Sequence, residues 1–218
     1  ISTANTYTGA TTVSAGTLLV NGSTTGSATT VASGATLGGT GTVGASVVVL
    51  AGGFIAPGAS PGILETNGVD FQASAGGLNL EFGGTTAGNL ATNHDQLKVT
   101  GSVAIGSNVT LSTAAFGGFT PSVGNTFTII DNDGADAVTG TFNGLPEGAT
   151  ISGFLGSSLN ATISYVGGTG NDVVLTAEVG STVITASDTG GNGSGNDMDD
   201  TFRLVRNGAD IEVYLDGN

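Results

Sequence analysis

The chain contains no cysteine and no tryptophan, and only one methionine, four prolines and three basic residues in 218 positions. Without cysteine it forms no disulfide and no thiolate metal site. The formal charge is −14. Such a surface displaces no counterions from phosphates, so nucleic acid is excluded as a partner. No apolar run approaches the ~18 residues of a membrane helix, and no transmembrane segment is expected. Ile1 stands first, with no initiator methionine and no basic signal-peptide stretch, which reads as a processed product or an excised fragment. A chain without cysteine fits a bacterial surface protein that does not rely on disulfides.

Charge is also absent locally. Residues 1–64 contain no Asp, Glu, Lys or Arg. Glu65, Asp70, Glu81 and Asp95 follow, and every other acid lies from Asp131 onward. An ordinary domain has about a quarter of its residues charged. Here threonine and serine must keep the first part of the chain wetted.

Glycine is abundant instead, with 40 residues. It follows no strict third-position rule, so collagen is excluded. Mean hydropathy is +0.26, and Val, Ile, Leu and Phe recur throughout, so the chain is not a disordered linker. The glycines belong to a repeat. Val13-Ser14-Ala15-Gly16 aligns with Val31-Ala32-Ser33-Gly34 and Val49-Leu50-Ala51-Gly52, 18 residues apart each time. Leu19, Leu37 and Ile55 keep the same spacing. Copies this short cannot bury a core alone, so they must stack. Stacking predicts one interior ladder of Val13, Val31 and Val49 and another of Leu19, Leu37 and Ile55. It places Gly16, Gly34 and Gly52 at a corner that needs positive φ. β-Branched residues and the lack of a helical period make the elements strands.

A finer period of six runs through Val13, Leu19, Thr25, Val31, Leu37, Val43, Val49 and Ile55. It is similar to the hexapeptide pattern of left-handed β-helices, but Val20 and Val47-Val48-Val49 break it. Downstream, Pro57-Gly58-Ala59-Ser60-Pro61-Gly62 reads as a rigid turn. Alternating segments at 78–82, 96–99, 103–105, 109–111, 126–130, 161–165 and 172–175 read as strands. Phe116, Phe119, Phe127, Phe142 and Phe154 predict a thicker, aromatic-rich cap over residues 116–180. Coils are expected over 1–115, with the 18-residue register in 11–58. Residues 181–218 read as a Gly/Asp linker and a hairpin, 202–205 with 211–215, around Asn207-Gly208.

Several of these stretches resemble the autotransporter-associated β-strand repeat, also called the passenger-associated transport repeat. They are Gly16 to Gly22, Val31 to Val43, Ala56 to Gly62, Asp95 to Gly101, Phe127 to Gly134 and Tyr165 to Thr176. The resemblance covers roughly residues 7–176. It implies a bacterial extracellular protein with a right-handed β-helical stalk. The expected fold is therefore all-β, a single-stranded parallel β-helix or β-solenoid, right-handed in preference to left-handed, with a β-rich C-terminal cap. Residues 181–218 depart from the family pattern.

Candidate chemistry is thin. His94-Asp95 is the one place for a histidine base, but a sequence neighbour orients a histidine poorly. His94 is expected to be a surface or turn residue. A glycosidase needs two carboxylates about 5–9 Å apart across a cleft, and the regular coils carry none. An enzyme is not expected. Asp131-Asn132-Asp133-Gly134-Ala135-Asp136 gathers Asp131, Asp133 and Asp136 on a glycine-containing loop, the oxygen-rich setting of Ca2+. The residue twelve positions on is Phe142, not the bidentate Glu of a calcium loop, so a solvated turn fits as well. Asp197 and Asp199 flank Met198 and form a second candidate for Ca2+.

The expected function is that of a secreted or bacterial cell-surface structural protein, a rod that spaces, coats or adheres. Self-association through the terminal coils or the C-terminal hairpin would build head-to-tail filaments. Binding of cell-surface glycans is the alternative, with little aromatic surface to support it.

Overall fold

The computed structural model describes residues 1–72 and 76–180, together with three backbone strands beyond them, Thr182–Ser187, Thr201–Asn207 and Asp210–Asp216. The chain is an all-β solenoid. Each coil contributes one strand to each of three parallel sheets, named A, B and C. The first coil holds β1 (Ala4–Asn5), β2 (Thr11–Val13) and β3 (Gly16–Leu19). The second holds β4 (Ser23–Thr24), β5 (Thr29–Val31) and β6 (Ala35–Gly39), and the third β7 (Thr42–Val43), β8 (Val47–Val49) and β9 (Phe54–Pro57). The fourth holds β10 (Ile63–Thr66), β11 (Val69–Phe71) and β12 (Gly77–Phe82), and the fifth β13 (Gln96–Val99), β14 (Val103–Ile105) and β15 (Thr110–Ala115). The six-residue period is the spacing of the three sides, and 18 residues make one turn.

The interior is built from ladders of equivalent positions. Val13, Val31, Val49, Phe71 and Ile105 are consecutive partners, and all five are buried. Gly16, Gly34 and Gly52 have φ of 69°, 73° and 79°, the left-handed corner that a side chain resists. The second expected ladder is off by one residue. Leu18, not Leu19, pairs with Leu37, which pairs with Ile55 and then Leu78. Alternation along β3 turns Leu18 and Val20 to one side and Leu19 to the other. Val20 is 1% exposed. The first coil is thus one residue shorter at its corner than the second, because Gly16 pairs with Ala35 rather than with Gly34. Some glycines serve close approach instead. A Cβ on Gly41 would fall on the carbonyl oxygen of Gly22 in the coil below.

Coils lengthen towards the C-terminus, and the added residues gather at one corner, between sheets C and A. Residues 58–62 follow β9, 83–95 follow β12, and 116–125 follow β15. From β10 onward the register becomes 33 to 34 residues: Leu64 pairs with Leu97, Val69 with Val103, and Leu97 with Ile130.

Sheet A continues into β16 (Thr126–Asn132), parallel to β13, and then turns antiparallel. It ends with β17 (Thr150–Ile151), β18 (Leu159–Gly167) and β19 (Asp172–Val179), in the order β16-β19-β18-β17. Phe127 centres the core here. Its ring lies 5.3 Å from Phe82, 5.6 Å from Phe154 and 6.1 Å from Phe119, edge-on to each. Tyr165 secures the cap by donating to the Leu145 carbonyl (2.7 Å) and accepting from the Phe142 amide (2.9 Å). Burial pushes its phenol up to about 12.

The far segment forms a separate three-stranded antiparallel sheet. Its strands are β20 (Thr182–Ser187), β21 (Thr201–Asn207) and β22 (Asp210–Asp216), and Phe202 lies opposite Leu215 in the hairpin. The linker at 190–200, with Asp197 and Asp199, lies outside the described residues.

Candidate functional site: a walled cleft on sheet C

The corner insertions give the solenoid a cleft of about 450 Å³ on the outer side of sheet C. Its floor takes residues from β3, β6, β9, β12 and β15, and the turn from Pro57 to Ser60 forms one wall. Alternation along each strand decides what the cleft shows: Leu37, Ile55 and Leu78 point inward, so their neighbours Thr36, Ala56 and Asn79 face out.

Asp95 holds the wall. It ends the 83–95 insertion and is 2% exposed. Its Oδ1 accepts the Gly62 amide at 2.6 Å and its Oδ2 the Glu81 amide at 2.7 Å. The Asp95 amide in turn donates to the Glu81 carbonyl (2.9 Å). One carboxylate therefore joins the turn after β9 to the end of β12. Burial raises its pKa to about 7; the two amide bonds oppose that rise, and the charge of Glu81 adds to it. Glu81 also lines the cleft. Both Asp95 oxygens are turned to backbone donors.

His94 is buried, not a surface residue, at 2% exposed. Its ring stacks on Phe82 at 5.8 Å and meets Phe127 edge-on at 5.5 Å. Nε2 lies 3.2 Å from the Thr128 carbonyl, which also accepts Gln96 Nε2 at 2.9 Å. Burial lowers the pKa of His94; the Thr128 and Gly84 backbones raise it in part. Among the described residues no group meets Nδ1 in hydrogen-bonding geometry. The ring belongs to the aromatic core, packed against Phe82 and Phe127.

The acidic loop is organised around amide nitrogens. Asp131 lies on β16 beside Lys98, and Lys98 beside Glu65 one strand further. Burial raises the Asp131 pKa, the negative Asp172 and Asp133 add to this, and Lys98 opposes them. Asp133 and Asp136 are exposed. The carbonyls of Asp133, Gly134 and Asp136 converge instead on Asn171 Nδ2, at 3.4, 3.4 and 3.1 Å. Asn132 Nδ2 adds a bond to the Asp136 carbonyl (2.8 Å). These carbonyls meet a side-chain NH2 where a calcium loop would present them to a cation. Among the described residues no three His, Asp or Glu side chains are grouped to hold a metal.

Two signals for these features lay in the sequence. Glu65, Lys98 and Asp131 recur 33 residues apart, a register that stacks acid on base on acid. Asp95 and Gly62 stand at the same 33-residue offset, visible only once that register is known. No protein-family model, curated protein or solved structure matches the chain.

Proposed function

We propose that this chain is a structural β-solenoid of a secreted or bacterial cell-surface protein, a stiff rod that spaces, coats or adheres and associates with further copies through its first coil. The observation that carries this reading is the difference between the two ends. Among the described residues, β1, β2 and β3 are each the last strand of their sheet, and at the end of β3 the Ile1 ammonium donates to the Leu19 carbonyl (2.8 Å). They carry no charge and no proline, the usual protections of an exposed edge. The opposite end is covered in part. Thr139 donates to the Val103 carbonyl and accepts from Ile105, Asn143 donates to Val109, and sheet A runs on into the antiparallel cap, while β15 is the outer strand of sheet C. Strand addition at the open end is therefore directional, and repeated directional contacts build filaments. Among the described residues, β20 and β22 are the outer strands of their own sheet, and this sheet is the element proposed to pair with the first coil of the next copy. The resemblance to the autotransporter-associated repeat supports the surface location.

Sedimentation velocity over a concentration series tests this. The Thr11 amide donates inward to Ala28 (2.9 Å), so alternation turns the Thr12 amide outward. Thr12→Pro removes that outward donor and leaves the inward bond. The wild-type chain should form larger species as concentration rises. Thr12→Pro and a chain lacking 181–218 should stay monomeric. A wild-type chain that is monomeric at the highest concentration contradicts the proposal.

A further inference from the structure

The cleft on sheet C starts at β3, beside the open edge, and runs away from it along the solenoid. It crosses five strands, about 19 Å along the solenoid axis at the ordinary strand spacing. Thr17, Thr36, Asn79 and Ser112 offer hydroxyl or amide groups along that length. Ala56 and Ala114 give small apolar ground between them. Among the described residues no lysine, arginine or histidine lines it, and Glu81 and Asp95 do. With a chain charge of −14, an anionic ligand is repelled. β6, β9 and β12 are paired on both sides, so the middle of the floor offers no free backbone edge to a peptide. Leu19 at the first rung and Pro57 in the wall add apolar surface.

A ligand that fits must bring its own hydroxyl groups, at a repeat near the strand spacing, and no negative charge. We propose that the cleft binds an uncharged linear oligosaccharide laid along the axis, from the β3 rung to the β15 rung. Thr36 and Asn79 hydrogen-bond its hydroxyls in the middle, Thr17 and Ser112 at the ends, and Glu81 accepts from a further hydroxyl. The volume lies in the ordinary range of small-ligand sites. Without an aromatic platform among the lining residues the binding is weak, and several sugar rings share it.

Isothermal titration with cellohexaose, chitohexaose, hexagalacturonate and an oligolysine peptide tests the proposal. At least one of the two uncharged oligosaccharides should bind, and hexagalacturonate and oligolysine should not. Thr17→Trp and Ser112→Trp each fill one end of the cleft at an exposed position, so both should fold and weaken binding at least about tenfold. Asp70→Trp, exposed on sheet B, should leave binding unchanged. The proposal is overturned if neither uncharged oligosaccharide binds, if both cleft variants bind as the wild type does, or if hexagalacturonate or oligolysine binds instead.

Discussion

Asp95 makes the stability of this solenoid depend on pH in a direction opposite to that of most carboxylates. Its pKa is 3.8 in an ordinary setting and about 7 in the folded chain. The folded state therefore holds a proton that the unfolded state has released between those values. The contribution is fully present below about pH 4 and is lost as pH rises through 7. The gap corresponds to roughly 4 kcal/mol at pH 8. Only 2% of the residue is exposed, so solvent screening removes little of it. Asp95→Asn abolishes the titration. Its NH2 must face either the Gly62 or the Glu81 amide, and one lost bond costs about 1–3 kcal/mol at every pH. Urea unfolding of both chains from pH 4 to pH 8 measures the difference. The wild type should be the more stable at pH 4, and its advantage should shrink by roughly 4 kcal/mol by pH 8. The neighbouring acids and His94 act on both chains and cancel in the comparison. A difference that stays constant over this range would refute the burial argument.

Other expectations concern single positions. His94 opposes Asp95: with its pKa lowered by burial, its contribution is lost as pH falls below its ordinary 6.5, and His94→Phe should flatten the acid limb of the wild-type curve. Thr66 Oγ1 is buried between Val43 and Val99 in the sheet A ladder, without a hydrogen-bond partner among the described residues. Thr66→Val should therefore leave thermal stability unchanged or raise it by about 1 kcal/mol. Phe127→Ala empties the middle of the aromatic cluster and should cost about 3–5 kcal/mol by urea unfolding. Asn171→Ala frees three carbonyls of the acidic loop. Amide exchange should quicken across 132–137 while Val13 and Val31 keep their protection.

Much of the stack was legible because its rules are local. A valine and a glycine at fixed spacing specify an inward side chain and a corner, and Val13, Val31 and Val49 with Gly16, Gly34 and Gly52 do both. The one-residue slip that puts Leu18 in place of Leu19 was not legible, since Leu18, Leu19 and Val20 are all apolar and only the strand alternation chooses among them. The cleft was illegible for a different reason. It exists because the 58–62 turn and the 83–95 insertion rise at the same corner and Asp95 joins them. That contact spans 33 residues of a chain whose visible period was 18. His94 was misplaced by its neighbours: a histidine among Thr, Asn and Asp reads as a turn, and nothing local announces the Phe82 ring beneath it. The acidic loop has the composition of a calcium site, yet two asparagines, Asn132 and Asn171, supply the donors its carbonyls need.

In the proposed assembly the first coil is an edge on which another copy adds. Hydrogen exchange at the Thr12 amide, followed over a concentration series, tests it most directly. The amide should exchange freely in dilute solution and gain protection as concentration rises. Val48, on a strand paired on both sides, should stay protected throughout. A Thr12 amide that exchanges at the same rate at every concentration would contradict the claim.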